Sequence, residues 1–271
     1  MGCRSLIFLS FAVGINGWLF SPSKDPVKPE WDRFSATFLK YKDLPMNVAD
    51  AKKGGWTLTR SCQEDAYFRG NRYVLNNDHS VMLLFDSKGK IAGIQNGIQK
   101  SSATQNFYTK PHWVEDGSLL VITAYFVDPK VICAGGREES KYLGDSLFIQ
   151  NGASPSSLME IPLKEDVVEK KTKWVKGKCV YGMGQHYWYD ISNEMSCDDF
   201  FPAFLLYNGG KLNAFGWVTM GNFKSERYEH PPSWVLGGFF QDDTMPSCVS
   251  KIPELSTIHI YLQHRPYFNV C

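Results

Sequence analysis

Short apolar runs with period-two alternation dominate this chain. Val81–Phe85 and Ile91–Ile94 flank the turn Asp86-Ser87-Lys88-Gly89, and Phe204–Tyr207 and Leu212–Val218 flank Asn208-Gly209-Gly210. Two such runs around a glycine-containing turn predict a β-hairpin, because the turn needs backbone angles that glycine reaches without steric cost. Leu119–Val127 and Thr257–Leu262, rich in β-branched and aromatic residues, predict buried or half-buried strands, and Tyr73–Leu75 and Tyr187–Asp190 are shorter candidates. Helical spacing is confined to small stretches. Trp31, Phe34, Phe38 and Tyr41, behind Pro29-Glu30, predict a short amphipathic helix in the N-terminal segment 18–43. Pro45 and Pro162 stand where further short helices can start. The pattern is that of a mainly β, mostly antiparallel chain.

The same pattern occurs twice. Leu44-Pro45-Met46, Lys52-Lys53, Trp56 and Cys62 return as Ile161-Pro162-Leu163, Lys170-Lys171, Trp174 and Cys179. Tyr67–Tyr73 returns as Tyr181–Tyr187, and the hairpin Met82–Gly93 as Phe204–Gly216. Ile122–Phe126, Pro129 and Cys133 return as Ile258–Leu262, Pro266 and Cys271. Colinear agreement across blocks points to tandem duplication: a β repeat at 44–133, a connecting surface segment at 134–160 and a second β repeat at 161–271. Two separate small domains and one shared core both fit. A pseudo-two-fold antiparallel β-barrel or sandwich is the expected architecture, because a shared core buries more surface per residue.

Composition narrows the function classes. With 43% hydrophobic and 21% charged residues and no low-complexity tract, the chain is globular rather than disordered. A net charge of +1 gives no global electrostatic case for nucleic acid. Residues 1–17 read as a signal peptide, with Arg4 before the apolar stretch Leu6–Ile15 and cleavage after Gly17 or near Ser23. That stretch is too short for a membrane anchor, and no later segment predicts a membrane span. Secretion and six remaining cysteines imply disulfides, although six cysteines allow about 15 pairings. The repeat narrows these: Cys62 matches Cys179 and Cys133 matches Cys271. The expected bridges are therefore Cys62–Cys133, Cys179–Cys271 and the unmatched pair Cys197–Cys248, with exchange of partners between repeats as the rival.

Where the copies diverge, one can have gained a site. Arg72 matches His186 and Thr123 matches His259, so the second copy carries histidines where the first does not. Alternation puts His259 and Tyr261 on one face of their strand. His186 lies within Gln185-His186-Tyr187-Trp188-Tyr189-Asp190, which is dense in groups that stack and hydrogen-bond. The histidines lack tight ligand spacing, so no metal site is assigned, and no cofactor can be named. No Gly-X-Ser-X-Gly elbow is present, and disulfide-bonded cysteines are not nucleophiles. The lysines of Lys170–Lys178 read as a solvated junction. The aromatic content of 14% is high, and the second copy, with Tyr187, Trp188, Tyr189, Phe200, Phe201, Phe204, Tyr207, Phe215, Trp217 and Trp234, holds more rings than a small β core usually needs.

The first reading is a secreted, disulfide-bonded protein that binds a small apolar or aromatic ligand through Tyr187, Trp188, Tyr261 and Trp217, in a pocket between the copies. The second is a secreted enzyme, a cofactor-independent oxidoreductase or a hydrolase, using His186, His259 and Asp190 for acid–base chemistry. The third is a structural extracellular protein.

Overall fold

The computed structural model describes residues 29–63, 67–138 and 140–271, so the expected signal peptide lies outside the described residues. The strands run in chain order β1 Ser35–Ala36, β2 Lys42–Asp43, β3 Trp56–Arg60, β4 Asn71–Leu75, β5 Asp78–Phe85, β6 Ile91–Gln99, β7 Val114–Asp116 and β8 Leu119–Tyr125. They continue with β9 Leu147–Gln150, β10 Leu158–Ile161, β11 Trp174–Val180, β12 Gly184–Tyr189, β13 Ala203–Asn208, β14 Lys211–Met220 and β15 Leu255–Tyr261. Short helices intervene: α1 Val48–Lys53, α2 Pro129–Cys133, α3 Glu165–Lys171 and α4 Ser233–Leu236. Two antiparallel sheets result. The first has the order β10-β9-β8-β6-β5-β4-β3 with β7 also on β8; the second has the order β11-β12-β13-β14-β15-β1-β2. Neither closes into a barrel, so the barrel alternative gives way to an open two-sheet arrangement.

Local chemistry explains the hairpins. Asp86 Oδ1 accepts from the N–H groups of Lys88 and Lys90, both at 2.9 Å, and Gly89 takes φ 78°. Gly209 and Gly210, at φ 57° and 74°, turn β13 into β14. Asn47 caps α1 by accepting from the N–H of Asp50, with Lys52 and Lys53 at the helix's negative end. β5 is buried on both faces, which is why its sequence reads as a continuous apolar run.

One buried cluster joins the sheets. Val81, Leu83 and Phe85 of β5 and Ile122 of β8 share it with Phe215, Trp217, Ile258 and Ile260 of the second sheet. Phe126 lies 5.3 Å from Phe34 and 6.4 Å from Phe215, edge to face. The disulfides join Cys62 to Cys133, Cys179 to Cys271 and Cys197 to Cys248, with Cα separations of 5.6, 6.2 and 5.8 Å. Two of these are the pairs inferred from block correspondence, and the third joins the two cysteines that have no match between the copies.

Two expectations are corrected. The segment around Trp31–Tyr41 is not a helix. Ser35 and Ala36 pair with Tyr261 and Ile260, completing the ladder on β15, and Thr37, Leu39 and Tyr41 adopt φ of 75°, 64° and 42°. Trp31 and Phe34 are buried and Leu39 is exposed, so the spacing of the aromatics does not reflect a single helical face. Residues 134–160 are not a plain surface connection either, since they supply β9 and much of β10 to the first sheet.

Candidate functional site

The second sheet uses one face for the shared core and the other for a cavity of about 440 Å³. Alternation sorts the side chains. His186 and Trp188 of β12, Phe204 of β13, Val218 and Met220 of β14, and Leu255, Thr257 and His259 of β15 all face the cavity. Residues 221–252 cover it and contribute Val235, Leu236, Phe239, Phe240, Val249 and Ile252. Phe38 and Leu39, from the turn after β1, complete the rim. The site is thus on the outer face of one sheet, and the expected position between the copies is not where the cavity lies.

Small residues and one disulfide hold the cover down. A side chain at Gly177 would place Cβ 2.3 Å from the Phe239 carbonyl, so glycine lets the cover rest on β11. Trp188 Nε1 donates to that same carbonyl at 3.0 Å, and Gln241 Nε2 donates to the Gly177 carbonyl at 2.7 Å. At the opposite margin Glu229 bridges Thr257 on β15 through two backbone bonds of 2.9 Å. Cys197–Cys248 ties the end of the cover to the loop that carries Phe200. Gly216 matters in the floor: a Cβ there would sit 2.1 Å from the Phe204 ring.

Rings dominate the lining. Trp188 stacks on Phe240 with centroids 4.5 Å apart and lies 5.4 Å from Phe204. His186 stacks near Trp188 at 6.0 Å, and His259 meets Phe204 at 4.9 Å and Phe38 at 5.8 Å. The two histidine rings are 6.5 Å apart. His186 Nδ1 lies 3.1 Å from the Lys178 carbonyl, which can only accept, so that nitrogen carries the hydrogen. Burial, with repulsion from His259, lowers the His186 pKa to about 3, and this ring is neutral.

His259 Nδ1 stands 2.5 Å from Glu229 Oε2. Oε2 also accepts from Thr257 Oγ1 at 2.9 Å, while Oε1 accepts from the N–H groups of Phe38 at 2.5 Å and His259 at 3.2 Å. Burial raises the Glu229 pKa, but His259 and these donors outweigh it and hold the carboxyl below its ordinary range. A buried Glu–His pair in an otherwise apolar cavity can fix one tautomer and hold or move a proton.

The remaining predicted residues fall elsewhere. Tyr187 lies on the opposite face of β12, where its hydroxyl sits 2.6 Å from Glu169 Oε1, to which it donates, and 2.9 Å from Glu165 Oε1 of the same helix α3. Trp217 faces the shared core beside Phe215. Tyr261 shares the His259 face and stacks with it at 6.1 Å, but packs on Tyr41 beyond the cavity. Asp190 is exposed and pairs with Lys173 at 2.7 Å, so it cannot serve the histidines. The sequence reading missed Glu229 and Phe38; the long segment between β14 and β15, with Glu229-His230-Pro231-Pro232 inside it, was the available signal. No cluster with the makings of a metal site occurs, and no helix is long and apolar enough to cross a membrane, among the described residues. Comparison with known protein families, curated proteins and solved structures gives no match.

Proposed function

We propose that this is a secreted, disulfide-bonded binding protein that holds a small apolar or aromatic ligand beneath residues 221–252. The observation that carries this reading is the cavity itself: about 440 Å³, ring-lined and covered, within the usual range of roughly 300–1,000 Å³ for small-molecule sites. The disulfides and the N-terminal pattern support export. A tandem duplication with pseudo-two-fold symmetry accounts for the order β4-β5-β6-β8 in one sheet and β12-β13-β14-β15 in the other. The test is uptake of N-phenyl-1-naphthylamine, whose fluorescence rises in apolar surroundings. Saturable 1:1 uptake, lost in Val218→Trp with the unfolding temperature preserved, is expected; absence of saturable uptake by the wild-type protein would overturn the reading.

The Glu229–His259 pair favours a second reading, a secreted acid–base enzyme, with Glu229 in the role first assigned to Asp190. Under it, His259→Ala abolishes turnover of a bound ligand and leaves binding nearly intact. A ligand recovered unchanged from the wild-type protein speaks for binding alone.

A further inference from the structure

Large hydrophobic side chains that stand in solvent are concentrated beside the cavity rim. Among the described residues there are nine, and six of them lie on or next to rim segments: Leu39, Tyr181, Trp234, Tyr267, Phe268 and Val270. Leu39 is 74% exposed, Tyr181 70% and Trp234 82%. Exposed apolar side chains gathered in one region mark an interaction surface, whereas scattered ones need no explanation.

Contacts between three turns make this one surface. Phe38 and Leu39, in the turn after β1, line the cavity. Gly182, in the turn between β11 and β12, packs on them: a Cβ there would lie 3.3 Å from the Phe38 ring and 3.5 Å from the Tyr41 hydroxyl. The Gly182 N–H donates to the Asn269 carbonyl at 2.8 Å, which brings in the C-terminal residues, and the Tyr41 ring lies 6.2 Å from that of Tyr267. On the cover, Trp234 of α4 stands in sequence between the lining residues Pro231 and Val235.

The chemistry of the surface selects its partner. Tyr and Trp join a ring to a polar tip, a combination suited to the interface of a bilayer. Leu39, Gly182 and Arg265 take φ of 64°, 77° and 59°, so the side chains stand on tight turns and do not line a groove for a helix or a strand. The free local charge is positive. Lys40 Nζ donates to the Glu226 backbone carbonyl, not to a carboxylate, and neither Lys40 nor the exposed Arg265 is ion-paired among the described residues. Nearby carboxylates are engaged: Glu226 with Lys42, Glu229 with His259, and Asp32 with the His264 N–H.

We propose that the cavity rim docks on an anionic phospholipid bilayer, with Leu39, Tyr181, Trp234 and Phe268 entering the interface and Lys40 and Arg265 meeting headgroup phosphates. Docking sets the rim against the phase in which an apolar guest dissolves. That consequence rests on the ligand-binding reading above, and the docking itself does not.

The test is flotation of the full chain with large unilamellar vesicles. The protein rises with phosphatidylcholine vesicles containing about one quarter phosphatidylglycerol, and far less with phosphatidylcholine alone. Leu39→Glu with Phe268→Glu lowers partitioning about tenfold or more, since binding scales with the apolar area inserted. Lys40→Gln with Arg265→Gln lowers it about fivefold for each charge removed. Leu58→Glu with Val131→Glu, exposed positions on β3 and α2 away from the rim, leaves it unchanged. Wild-type protein that fails to float, floats equally on both compositions, or loses flotation in the Leu58 and Val131 pair overturns the docking. A dimer in sedimentation equilibrium that Leu39→Glu with Phe268→Glu dissociates makes this face a contact between copies and overturns it too. Uptake of N-phenyl-1-naphthylamine without vesicles is read on the same sample. Uptake without flotation keeps the cavity reading and removes the docking, and flotation without uptake does the reverse.

Discussion

Arg72 and His186 occupy similar places on the two sheets: Arg72 pairs with Leu84 and His186 with Leu206, each across to the next strand. One strand further, Gln95 stands opposite Met82 in the first sheet and Gly216 opposite Phe204 in the second. Gln95 then faces Thr123, and Gly216 faces His259. The outcomes differ completely. In the first sheet Arg72 and Arg60 reach the Asp116 carboxylate, and Gln95 accepts from Arg72 at 3.5 Å while donating to Thr123 at 2.9 Å. Val74, Met82 and Val121 pack beside this network, and Phe68 lies 4.9 Å below the Arg72 guanidinium. A permanent cation brings its counter-charges and acceptors with it, and they fill the face. Neutral His186 is buried among rings with a single carbonyl for its Nδ1, and Gly216 adds no side chain, so space remains. The difference between a solid face and a hollow one is set by whether the central group can be buried without its charge.

Removing Asp116 should break the filled face most severely. Asp116→Ala leaves Arg72 and Arg60 without their carboxylate, at a cost of about 3–5 kcal/mol for a stranded buried charge, read by urea unfolding. A loss below about 1 kcal/mol would mean the network does not hold that face. Acid should act next, through two buried histidines, His186 on the hollow face and His112 outside the cavity beside Phe201. His186 titrates near 3 and His112 near 4 in the folded protein, against about 6.5 when unfolded, so the unfolded chain takes up protons first. Stability falls as pH drops below about 6.5, by about 1.4 kcal/mol per pH unit for each histidine. At pH 5 that is about 2 kcal/mol from each, and His186→Phe should remove its share of the slope. An unaltered slope would show that His186 is not the acid-sensitive group. Cys197→Ser with Cys248→Ser should lower stability by about 2–4 kcal/mol and speed probe release in stopped-flow dilution, since this bridge anchors the cover. Release at the wild-type rate would separate the bridge from the cavity. Gly216→Ala should cost about 1–3 kcal/mol and weaken probe uptake, because the added Cβ would meet both the Phe204 ring at 2.1 Å and the Ile258 carbonyl of β15 at 2.5 Å, so that ring and strand must both shift in the cavity floor. Gln95→Gly, on the other sheet, should leave uptake unchanged.

Much of this contrast was readable in the chain. The hairpins at Asp86–Gly89 and Asn208–Gly210 declare themselves by turn chemistry and flanking apolar runs, and β5, β6, β13 and β14 lie where those runs are. Block correspondence yielded the disulfides and singled out His186 and His259, and period-two alternation separated His259 from Ile258 and Ile260. What was not readable depends on partners far away in sequence. Glu229 gains its meaning only because its backbone adds to β15 and its carboxylate meets Phe38, a separation of 191 residues. Trp31, Phe34, Phe38 and Tyr41 match a helical period, yet the free edge of β15 offers Ser35 and Ala36 a ladder, and that pairing sets the backbone. Tyr187 and Trp217 are aromatics of the right kind on the wrong face, where alternation gives parity but not which parity is hollow.

The pairing of β1 with β15 also sets an order of assembly. The strands of the first sheet come from residues 56–161, an almost unbroken run of local antiparallel neighbours. Such a sheet can form on a growing chain as it emerges. The second sheet cannot finish then, because residues 35–36 must wait for residues 255–261. Until that late stretch has been synthesised, Phe38 and Leu39 have no rim to join and Glu229 has neither His259 nor its ladder. Residues 56–161 can therefore pair among themselves before residues 255–261 are made, whereas the second sheet and the rim of its cavity are complete only once that strand is present.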